Sequence, residues 1–455
     1  MPDIASPSPE IKEHLDRWAR NRAVIQGEDA VKKARAKYLP KLPSQSNAQY
    51  LSYLASVDFF PAAQRTVESH IGLIMRKPPT VDAHETTQPI LDTISMEYGL
   101  DDLGREILRE TFITNFTGRL VDFPVSQDDV SQADAIKMGL RPFVAVYRAE
   151  SILEVKREVI RNRFTITRVR LMEPDGKSVR ELLLNDGRYE IIMHRKVEGG
   201  AWVPDEPIVP LKNNKPFDYI PFRIISTEAG SVTPSKAMAD DIALMNLSHY
   251  RASAQHCNVL RHLGNPIIWG RGMPVSEDGK AGPLLSNSVE QAWFFAAPDA
   301  EVAYLEHSGN GVAALRQRCV DIAEQMAAIG ARVLASEKAA AEAAETLAIR
   351  RASENSILAS VAQRVADHVQ EAANEALDWV GLPPITYAMN CDFSPVPMTS
   401  DYITALVAAF QAGVISHETV YRCLQDGEIV DFKRPFEQEK EAIAADMADR
   451  PSAMI

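Results

Sequence analysis

Three short motifs contain residue types that bind nucleotides or metal ions in other proteins. The first is Gly309, Gly311 and Ala314, a G-x-G-x-x-A that follows the strand-like run VAYLEHS and opens a helix, as a dinucleotide-binding turn does. That fingerprint also requires a second parallel strand ending in an acidic residue about 20 positions further on. The corresponding region here is Ala-rich and helical, so we interpret the motif as a glycine turn between a strand and a helix.

The second motif is a near match to a phosphate loop. Gly279 and Lys280 end it, but six residues rather than four separate Gly272 from Gly279. Ala281 also stands where a phosphate loop has the Ser or Thr that binds magnesium. The sequence therefore predicts no ATPase at this segment.

The third motif consists of adjacent acidic residues, Asp128 with Asp129 and Asp240 with Asp241. Paired carboxylates can hold metal ions for nuclease chemistry. On a helix, however, adjacent side chains diverge by about 100°. This divergence favours solvated charges over a shared metal site.

Cysteines and histidines add no catalytic arrangement. His249 and His256 lie seven positions apart on one face of a predicted helix, a spacing that favours an interface over catalysis. No Ser/His/Asp or Cys/His arrangement has local support, so the sequence predicts neither an enzyme nor a bound cofactor or metal. The cysteines occur singly, without C-x-x-C spacing, and are interpreted as reduced core residues: Cys257, Cys319, Cys391 and Cys423.

Two long helical segments between Val312 and Trp379 organise the chain. Measured from Glu342, the second helix would be about 57 Å long at 1.5 Å per residue. Gly381, Pro383 and Pro384 would end it. We expect neighbouring subunits of an assembly to cover the apolar stripes of both helices. The first stripe consists of Leu315, Cys319, Ile322, Met326 and Ile329, and the second of Leu358, Val361, Val365, Val369, Ala372, Ala376 and Trp379.

The remaining chain alternates helical and strand-like regions. Helices are predicted near residues 50–75 and 88–115, and a longer one over 235–263 with Ser235 as N-cap. The turn Asn185, Asp186 and Gly187 predicts an antiparallel hairpin. Strands are predicted at 143–147, 164–171, 179–184, 189–196 and 222–225, followed after the long helices by a strand-like segment at 385–393 and two helices at 399–412 and 417–424.

Composition restricts the class of protein. The 455 residues, 45% of them hydrophobic, suffice for two or three domains. No run approaches about 18 consecutive apolar residues, and the N-terminus lacks signal-peptide features, so we expect a protein that stays where it is made. A formal charge of −13 disfavours a protein that clamps nucleic acid, because such proteins are basic. It is compatible with DNA that slides past without adhering.

Four stretches resemble the portal proteins of tailed bacteriophages, in particular a portal-like phage family known as a domain of unknown function. They are FFPAAQRTVESHIGLIMRKPPTV at 59–81, ALMNLSHYRASAQHCNVLRHLGNPIIWGRG at 243–272, VAYLEHSGNGVAALRQRCVDIAEQMAAIGARVL at 302–334 and DYITALVAAFQAGVISHETV at 401–420. The resemblance covers most of the chain from residue 50 onward. It implies a mainly helical α+β chain of portal-type architecture, in which long helices flank small β modules and subunits form a ring.

The resemblance also implies a division of the chain. The implied tunnel loop, residues 331–342, has no glycine or proline and has high helix propensity. A loop and a continuous helix are therefore both open alternatives there. The polar, charged composition of residues 1–45 predicts a peripheral N-terminal arm. The parts implied for the rest of the chain are a wing (46–234), stem helix 1 (235–263), a clip (264–309), stem helix 2 (310–330), a tunnel loop (331–342), a long wing and crown helix (343–380), a strand-like wing return (381–398) and a short crown with an acidic tail (399–455).

Function and partners follow from the same resemblance. The ring, usually a dodecamer, would form the channel at the unique capsid vertex through which double-stranded DNA is packaged and ejected. Arg332 and Lys338 would touch the passing DNA, and Trp269 and Trp293 would belong to the clip interface. Implied partners are further copies of the chain, the terminase large subunit, the major capsid and scaffolding proteins, and head-completion adaptors, with no membrane. The chain would be assembled in the host cytoplasm and reside in the virion.

Two other functions are compatible with the residues. A metal-dependent phage nuclease would use one of the acidic pairs, and a structural protein of the head or tail would form no central channel. Nuclease activity in metal-supplemented assays would identify the first, and particles without a channel would identify the second.

Overall fold

The fold is α+β, as the sequence predicts, with helical segments and antiparallel strands in separate stretches of the chain. The chain divides into two compact units, Met1–Met389 and Asn390–Ile455. The computed structural model describes residues 3–43, 45–124, 140–228, 230–264, 267–271, 299–305, 309, 311–329, 344–393, 400–427, 429–431 and 434–449.

Short helices begin the first unit. Ser46 and Gln49 form a capping box at the start of α4, which satisfies backbone N–H groups that a helix end leaves free. In α7, Leu103 and Ile107 are fully buried, and Asn115 ends the helix in the left-handed conformation. The helices are α1 (Pro9–Lys12), α2 (Leu15–Gln26), α3 (Glu28–Lys33), α4 (Asn47–Ala55), α5 (Ala62–Ile74), α6 (Gln88–Leu91) and α7 (Leu100–Thr114), with 3₁₀ turns at Arg35–Lys37, Glu85–Thr87 and Ala149–Ser151.

The N-terminal segment belongs to the core, whereas composition predicts a peripheral arm over 1–45. Trp18 of α2 is fully buried and stacks on Phe116 with 5.7 Å between ring centroids. Arg22 forms ion pairs with Glu110 of α7 and with Glu150. The segment is therefore fixed, because Trp18 and Arg22 have partners about a hundred residues away in sequence.

Two antiparallel sheets follow, of three and five strands. The predicted hairpin is confirmed: β6 pairs with β7 from Ser178 to Asn185, and the turn places Asp186 and Gly187 at positive φ. The first sheet has the order β11-β2-β3, with β2 (Thr117–Asp122), β3 (Phe143–Tyr147) and β11 (Phe222–Ile225); the second runs from β4 to β8, with β4 (Ile152–Ile160), β5 (Arg163–Met172), β6 (Ser178–Asn185), β7 (Arg188–Lys196) and β8 (Trp202–Pro204).

Three two-stranded pairs make up the remaining sheets of the described residues. β1 pairs with β14, so that residues near position 80 lie beside residues near position 387. The strand-like segment 385–393 thus forms only a three-residue strand. The pairs are β1 (Thr80–Asp82) with β14 (Thr386–Ala388), β9 (Leu211–Lys212) with β10 (Lys215–Pro216), and β12 (Ile267–Arg271) with β13 (Glu301–Leu305).

Three long helices close the first unit: α8 (Ala239–Gly264), α9 (Val312–Ala328) and α10 (Ala344–Trp379). With 36 residues, α10 is about 54 Å long. Its predicted stripe is buried from Leu358 through Val365 to Ala376, but within the same chain, where α10 packs on α5, α7, β2 and β14. The expectation that a neighbouring subunit covers this stripe is therefore wrong for its described length.

The second unit contains α11 (Ser400–Gln411), α12 (His417–Asp426) and α13 (Phe436–Asp449). Phe436 packs against His417 and Tyr421, with ring centroids 5.3 and 5.5 Å apart. The acidic tail therefore includes a helix that packs on α12. Among the helices that the structure describes, none has both the length and the apolar content needed to cross a bilayer.

Candidate functional site: the helix pair α8–α9 and its strand hairpin

Helix α8 begins in a buried polar cluster. The Asp240 carboxylate, 5% exposed, accepts hydrogen bonds from Asn21 Nδ2 at 2.8 Å, the Ala237 backbone N–H at 2.8 Å and Arg20 Nη2 at 3.3 Å. The Ala237 bond satisfies a backbone donor ahead of the first helical turn. The helix consequently begins at Ala239, and Ser235, the predicted N-cap, lies outside it.

A second set of hydrogen bonds holds the next turns of α8. Asn246, fully buried, accepts from the Ala63 N–H at 2.9 Å and donates to the Phe60 carbonyl at 2.8 Å. Arg251 Nε donates to the Tyr38 carbonyl at 2.9 Å. Because buried polar groups are costly to separate from their partners, the first half of α8 is fixed to the body of the unit.

The outer half of α8 and most of α9 are more exposed. The predicted stripe of α9 is only partly covered: Ile322 and Met326 are buried against α8, whereas Leu315 and Cys319 are half-buried. Ile329, the last member of the stripe, is 47% exposed. The two helices therefore pack on each other along a narrow seam.

Large apolar side chains remain exposed on this helix pair. Leu244 and Leu260 on α8 are 49% and 44% exposed, and Val320 on α9 is 41% exposed. Single exposed apolar residues are common, but several on one pair of helices indicate an interaction surface. The helix pair thus has apolar surface that the described part of its own chain does not cover.

A strand hairpin lies between the two helices in sequence. β12 and β13 pair from Ile267–Leu305 to Arg271–Glu301, and the Arg271 guanidinium lies 3.2 Å from the Glu301 carboxylate. Trp269, predicted for the clip interface, is 40% exposed. Trp293 and the rest of 272–298 lie outside the described residues.

The glycine motif follows β13 and precedes α9, as predicted. Gly309 has φ +71°, a conformation that favours glycine. Its strand pairs antiparallel with β12, whereas a dinucleotide-binding turn follows a strand of a parallel sheet. The interpretation as a strand-to-helix turn therefore agrees with the geometry, and Gly279 and Lys280 lie outside the described residues.

The acidic pair at the start of α8 is divided between two environments. Asp240 is buried as above, whereas Asp241 is exposed and pairs with Lys236 Nζ at 2.7 Å. Asp128 and Asp129 lie outside the described residues. Within the described ranges, no group of three or more His, Cys, Asp or Glu side chains is arranged to hold a metal ion.

Cysteines and histidines of the helix pair lie at packed surfaces. Cys257 and Cys319 are half-buried free thiols, and burial, reinforced by Cys257, raises the pKa of Cys319. Cys391 is exposed, so the prediction that all four cysteines are core residues is wrong there. His249 lies 5.7 Å from Phe60 of its own chain, and burial lowers its pKa.

The proposed DNA contacts cannot be placed. Arg332, Lys338 and the supposed tunnel loop 331–342 lie outside the described residues, which resume at Ala344, the first residue of α10.

Sequence reasoning missed the ion pairs that fix α10. Arg119 of β2 is fully buried and donates to Glu375 at 2.6 Å and to Glu371 at 3.2 Å. Burial and the nearby Arg119 lower the pKa of His368 to about 4, against the opposing effect of Glu371. No local pattern marks these groups, because Arg119 and its partners are about 250 residues apart.

Sequence reasoning also missed a cavity of about 540 Å³ at the root of the helix pair, where α8 begins and α9 ends. Leu73, Phe112 and Val361 contribute apolar walls, and the rim includes Ile329 and Ile357, which are 47% and 55% exposed. The lining comes from α5, α7, α10 and the ends of α8 and α9, so no single motif could have predicted it.

Comparisons with known proteins give one family match. Residues 240–380 match the family described as a domain of unknown function, DUF4055, and the matched region runs from the start of α8 through α10. None of the curated proteins matches the chain.

Among solved structures, the chain is similar to three from gene transfer agent (GTA) particles. One, from the virion of a native particle, has 13% identity and a TM-score of 0.38 over 87% of this chain and 97% of that chain. A second, from the neck of an empty particle computed with C6 symmetry, has 14% identity and a TM-score of 0.40 over 79% and 88%. A third, from the neck of a native particle computed with C12 symmetry, has 11% identity and a TM-score of 0.38 over 87% and 98%.

Proposed function

We propose that this chain is a phage portal protein, a structural subunit of the virion that forms a ring around a DNA channel at the head–tail junction. The observation that carries the proposal is the helix pair α8–α9. Its root is fixed by buried hydrogen bonds at Asp240 and Asn246, whereas apolar side chains on its outer half, such as Leu260 and Val320, stay exposed. A rigid rod with an uncovered apolar surface is suited to packing against further copies of itself.

In this proposal the parts keep the boundaries implied by the resemblance, except that the N-terminal segment joins the wing. The wing comprises 46–234, the stem helices correspond to α8 and α9, and β12 and β13 form the base of a clip that extends over 264–309. The long helix 343–380 belongs to wing and crown, the return to 381–398, and the crown with its tail to 399–455. Residues 1–45 join the wing, because Trp18 packs in its core.

The negative charge of the chain suits a channel. DNA-gripping proteins are basic, whereas a formal charge of −13 leaves little net attraction for a moving duplex. Arg332 and Lys338 are proposed as the cations that touch the DNA weakly, since exposed contacts are screened beyond about 8 Å at physiological salt. The proposed partners are further copies of the chain in a dodecamer, the terminase, capsid and scaffolding proteins, and adaptors.

The first experiment measures assembly. Purified chain at micromolar concentration should form closed rings with a central channel in negative-stain images and a matching mass in solution. Val320→Ser should shift the chain towards smaller species, because it removes apolar surface from the stem. Val203→Ser, on β8 and 47% exposed, is the matched control and should assemble normally.

A stable monomer of the wild-type chain under these conditions would contradict the proposal. Nuclease activity in metal-supplemented assays that is lost on changing Asp241 would support the enzyme alternative instead.

Two further experiments test the channel and the clip. Arg332→Ala with Lys338→Ala should leave rings intact and alter the packaging rate or the retention of DNA; unchanged packaging and retention would exclude these contacts. Deletion of 273–286 should abolish binding of the packaging motor while the wing stays folded, and unchanged binding would contradict the clip assignment.

A further inference from the structure

The β4–β5 hairpin extends beyond the sheet to which it belongs. β5 pairs with β6 only from Arg168 to Met172, whereas β4 and β5 continue to pair with each other as far as Ile160 and Arg163. In the part of the chain that the structure describes, the last four pairs therefore have no third strand beside them, and they extend for about 13 Å at 3.3 Å per residue. An isolated two-stranded hairpin is marginally stable in water, so this extension is suited to a partner.

The extension is apolar on its exposed surface. Phe164 is 73% exposed, Val159 63% and Ile160 40%. Val159 and Phe164 are direct cross-strand partners, and paired residues on adjacent strands point to the same face. An aromatic and an aliphatic side chain thus form one small exposed apolar patch on a projecting element, which marks an interaction site.

One basic residue lies against this patch, and others lie along the same hairpin. The Arg157 guanidinium lies 4.6 Å from the centroid of the Phe164 ring and donates to the Gly230 carbonyl at 2.8 Å. The tip comprises Lys156, Arg157, Arg161 and Arg163 against the single carboxylate of Glu158, a local net charge of +3 in a chain of −13. The hairpin tip, residues 156–166, therefore combines an apolar patch with positive charge and should bind an acidic surface with an apolar floor.

The same chain has a surface of the opposite character. A hollow of about 250 Å³ lies between β1, α6 and the first turn of α7. Leu91 and Leu100, both nearly fully buried, and the 41% exposed Val81 provide apolar lining. Among the described residues, three carboxylates and no Lys or Arg line this acidic hollow, and Arg105 lies 4.0 Å from the last of the three: Asp92, Asp101 and Asp102.

We propose that the hairpin tip of one subunit docks in the acidic hollow of a second copy of this chain. The inference rests on the proposed ring, which requires two different complementary surfaces on each subunit, since a head-to-tail contact closes into a ring when its rotation permits. The two surfaces carry charge of opposite sign, +3 at the tip and three carboxylates in the hollow, one of which also lies 4.0 Å from Arg105 of its own chain. The negative charge of a DNA duplex would match the arginines, but a duplex offers no apolar surface for Val159 and Phe164. The net negative charge of the chain also repels it.

Photo-crosslinking tests the contact directly. p-Benzoylphenylalanine in place of Phe164 keeps an aromatic side chain at the tip and reacts with whatever covers it. Rings are assembled from a mixture of ¹⁵N-labelled and unlabelled subunits, irradiated and digested. The expected product is a mixed-isotope peptide pair that joins position 164 to residues 80–105.

Wild-type rings whose crosslinks lie only within one subunit, reach another region or do not form would overturn this inference and leave the proposed function intact. Absence of rings together with absence of crosslinks would overturn both. Crosslinked pairs of subunits without closed rings would support the docking contact and contradict the ring.

Charge reversal provides an independent test. Arg161→Glu with Arg163→Glu should raise the subunit concentration at half-assembly about tenfold or more, which corresponds to about 1.4 kcal/mol per tenfold change. Asp101→Lys with Asp102→Lys should do the same, and the combination should recover at least half of the loss on a logarithmic scale. Lys177→Glu with Lys215→Glu, an equal charge change at exposed sites elsewhere, should have little effect.

Unfolding midpoints of the unassembled subunits separate docking from folding, because the hairpin variant should unfold like the wild type. Additive losses without recovery in the combined variant would overturn the pairing of these two surfaces. A hairpin variant that assembles normally but loses affinity for a short duplex in fluorescence anisotropy would assign the tip to DNA and overturn the proposal.

Discussion

Asp240→Ala is expected to be the most damaging single substitution at the root of α8. The change leaves the Ala237 N–H and one hydrogen of Asn21 Nδ2 without their acceptor, both bonded at 2.8 Å and both buried. Each unsatisfied buried donor costs about 1–3 kcal/mol, and Arg20 also loses its carboxylate. The sum agrees with the loss of about 3–5 kcal/mol that follows removal of one partner from a buried ion pair.

The neighbouring Asp241 provides a matched control. Its carboxylate pairs with Lys236, and the two side chains are 52% and 65% exposed. Pairs of this kind contribute less than about 1 kcal/mol, so Asp241→Ala should be nearly neutral. Asp240→Asn keeps an acceptor oxygen but loses the charge, and its stability should lie between those of the wild type and Asp240→Ala.

The free energy of unfolding is measured by urea denaturation followed by far-ultraviolet circular dichroism. Subunits must be dilute enough to stay unassembled, because association raises apparent stability by mass action. Equal losses for the alanine variants of Asp240 and Asp241, or a loss under about 1 kcal/mol for Asp240→Ala, would refute the assignment of a buried anchor.

Three other outcomes follow from packing and charge. Gly118→Ala should lower the free energy of unfolding by about 1–3 kcal/mol, because an added Cβ would lie 2.6 Å from the Phe222 ring. Gly72→Ala has nothing within 4 Å of the added Cβ and should instead raise it by about 0.5–1 kcal/mol. Equal effects of the two substitutions in thermal melts would contradict this. The pKa of His368 is about 4 in the native state against about 6.5 in the unfolded chain, so the unfolded chain binds more protons between pH 6.5 and pH 4. The free energy of unfolding should therefore fall by up to about 1.4 kcal/mol per pH unit as the pH drops through this range. His368→Gln should flatten that slope relative to wild type, and an unchanged slope would exclude this histidine as its source. Trp269→Ser should keep the unfolding midpoint and lower ring yield, whereas a lowered midpoint would assign the side chain to folding.

Local patterns predicted elements whose partners are near in sequence, and helices whose apolar residues recur along one face. The stripe of α10 was predicted because Leu358, Val365 and Ala376 recur at helical spacing, and all three are buried. The hairpin turn at Asp186 and Gly187 was predicted from residues that favour positive φ, which both adopt. Such signals depend on only a few neighbouring positions.

Features that depend on distant partners were not predicted. An arginine in a short strand is usually a surface charge, yet Arg119 is fully buried because Glu371 and Glu375 of α10 neutralise it. Trp18 lies in a charged N-terminal segment and is buried because Phe116 stacks on it. The covering of α10 was misassigned to another subunit for the same reason: periodicity shows that a face is covered but not which element covers it.

Burial along α8 distinguishes the residues that stabilise the subunit from those that are available for assembly. Residues up to Ala254 include several that are fully buried, whereas the remaining positions to Gly264 whose side chains are described are half-buried or exposed. The energy that fixes the helix therefore comes from its first half. Its second half and the exposed face of α9 contribute apolar surface, whereas Ile322 and Met326 of α9 are buried. Changes at Asp240 should consequently lower the stability of the isolated subunit, and changes at Val320 should alter only association. If Val320→Ser instead lowered subunit stability as strongly as Asp240→Ala, the outer helix pair would belong to the core, and the argument for a ring based on its exposed surface would lose its basis.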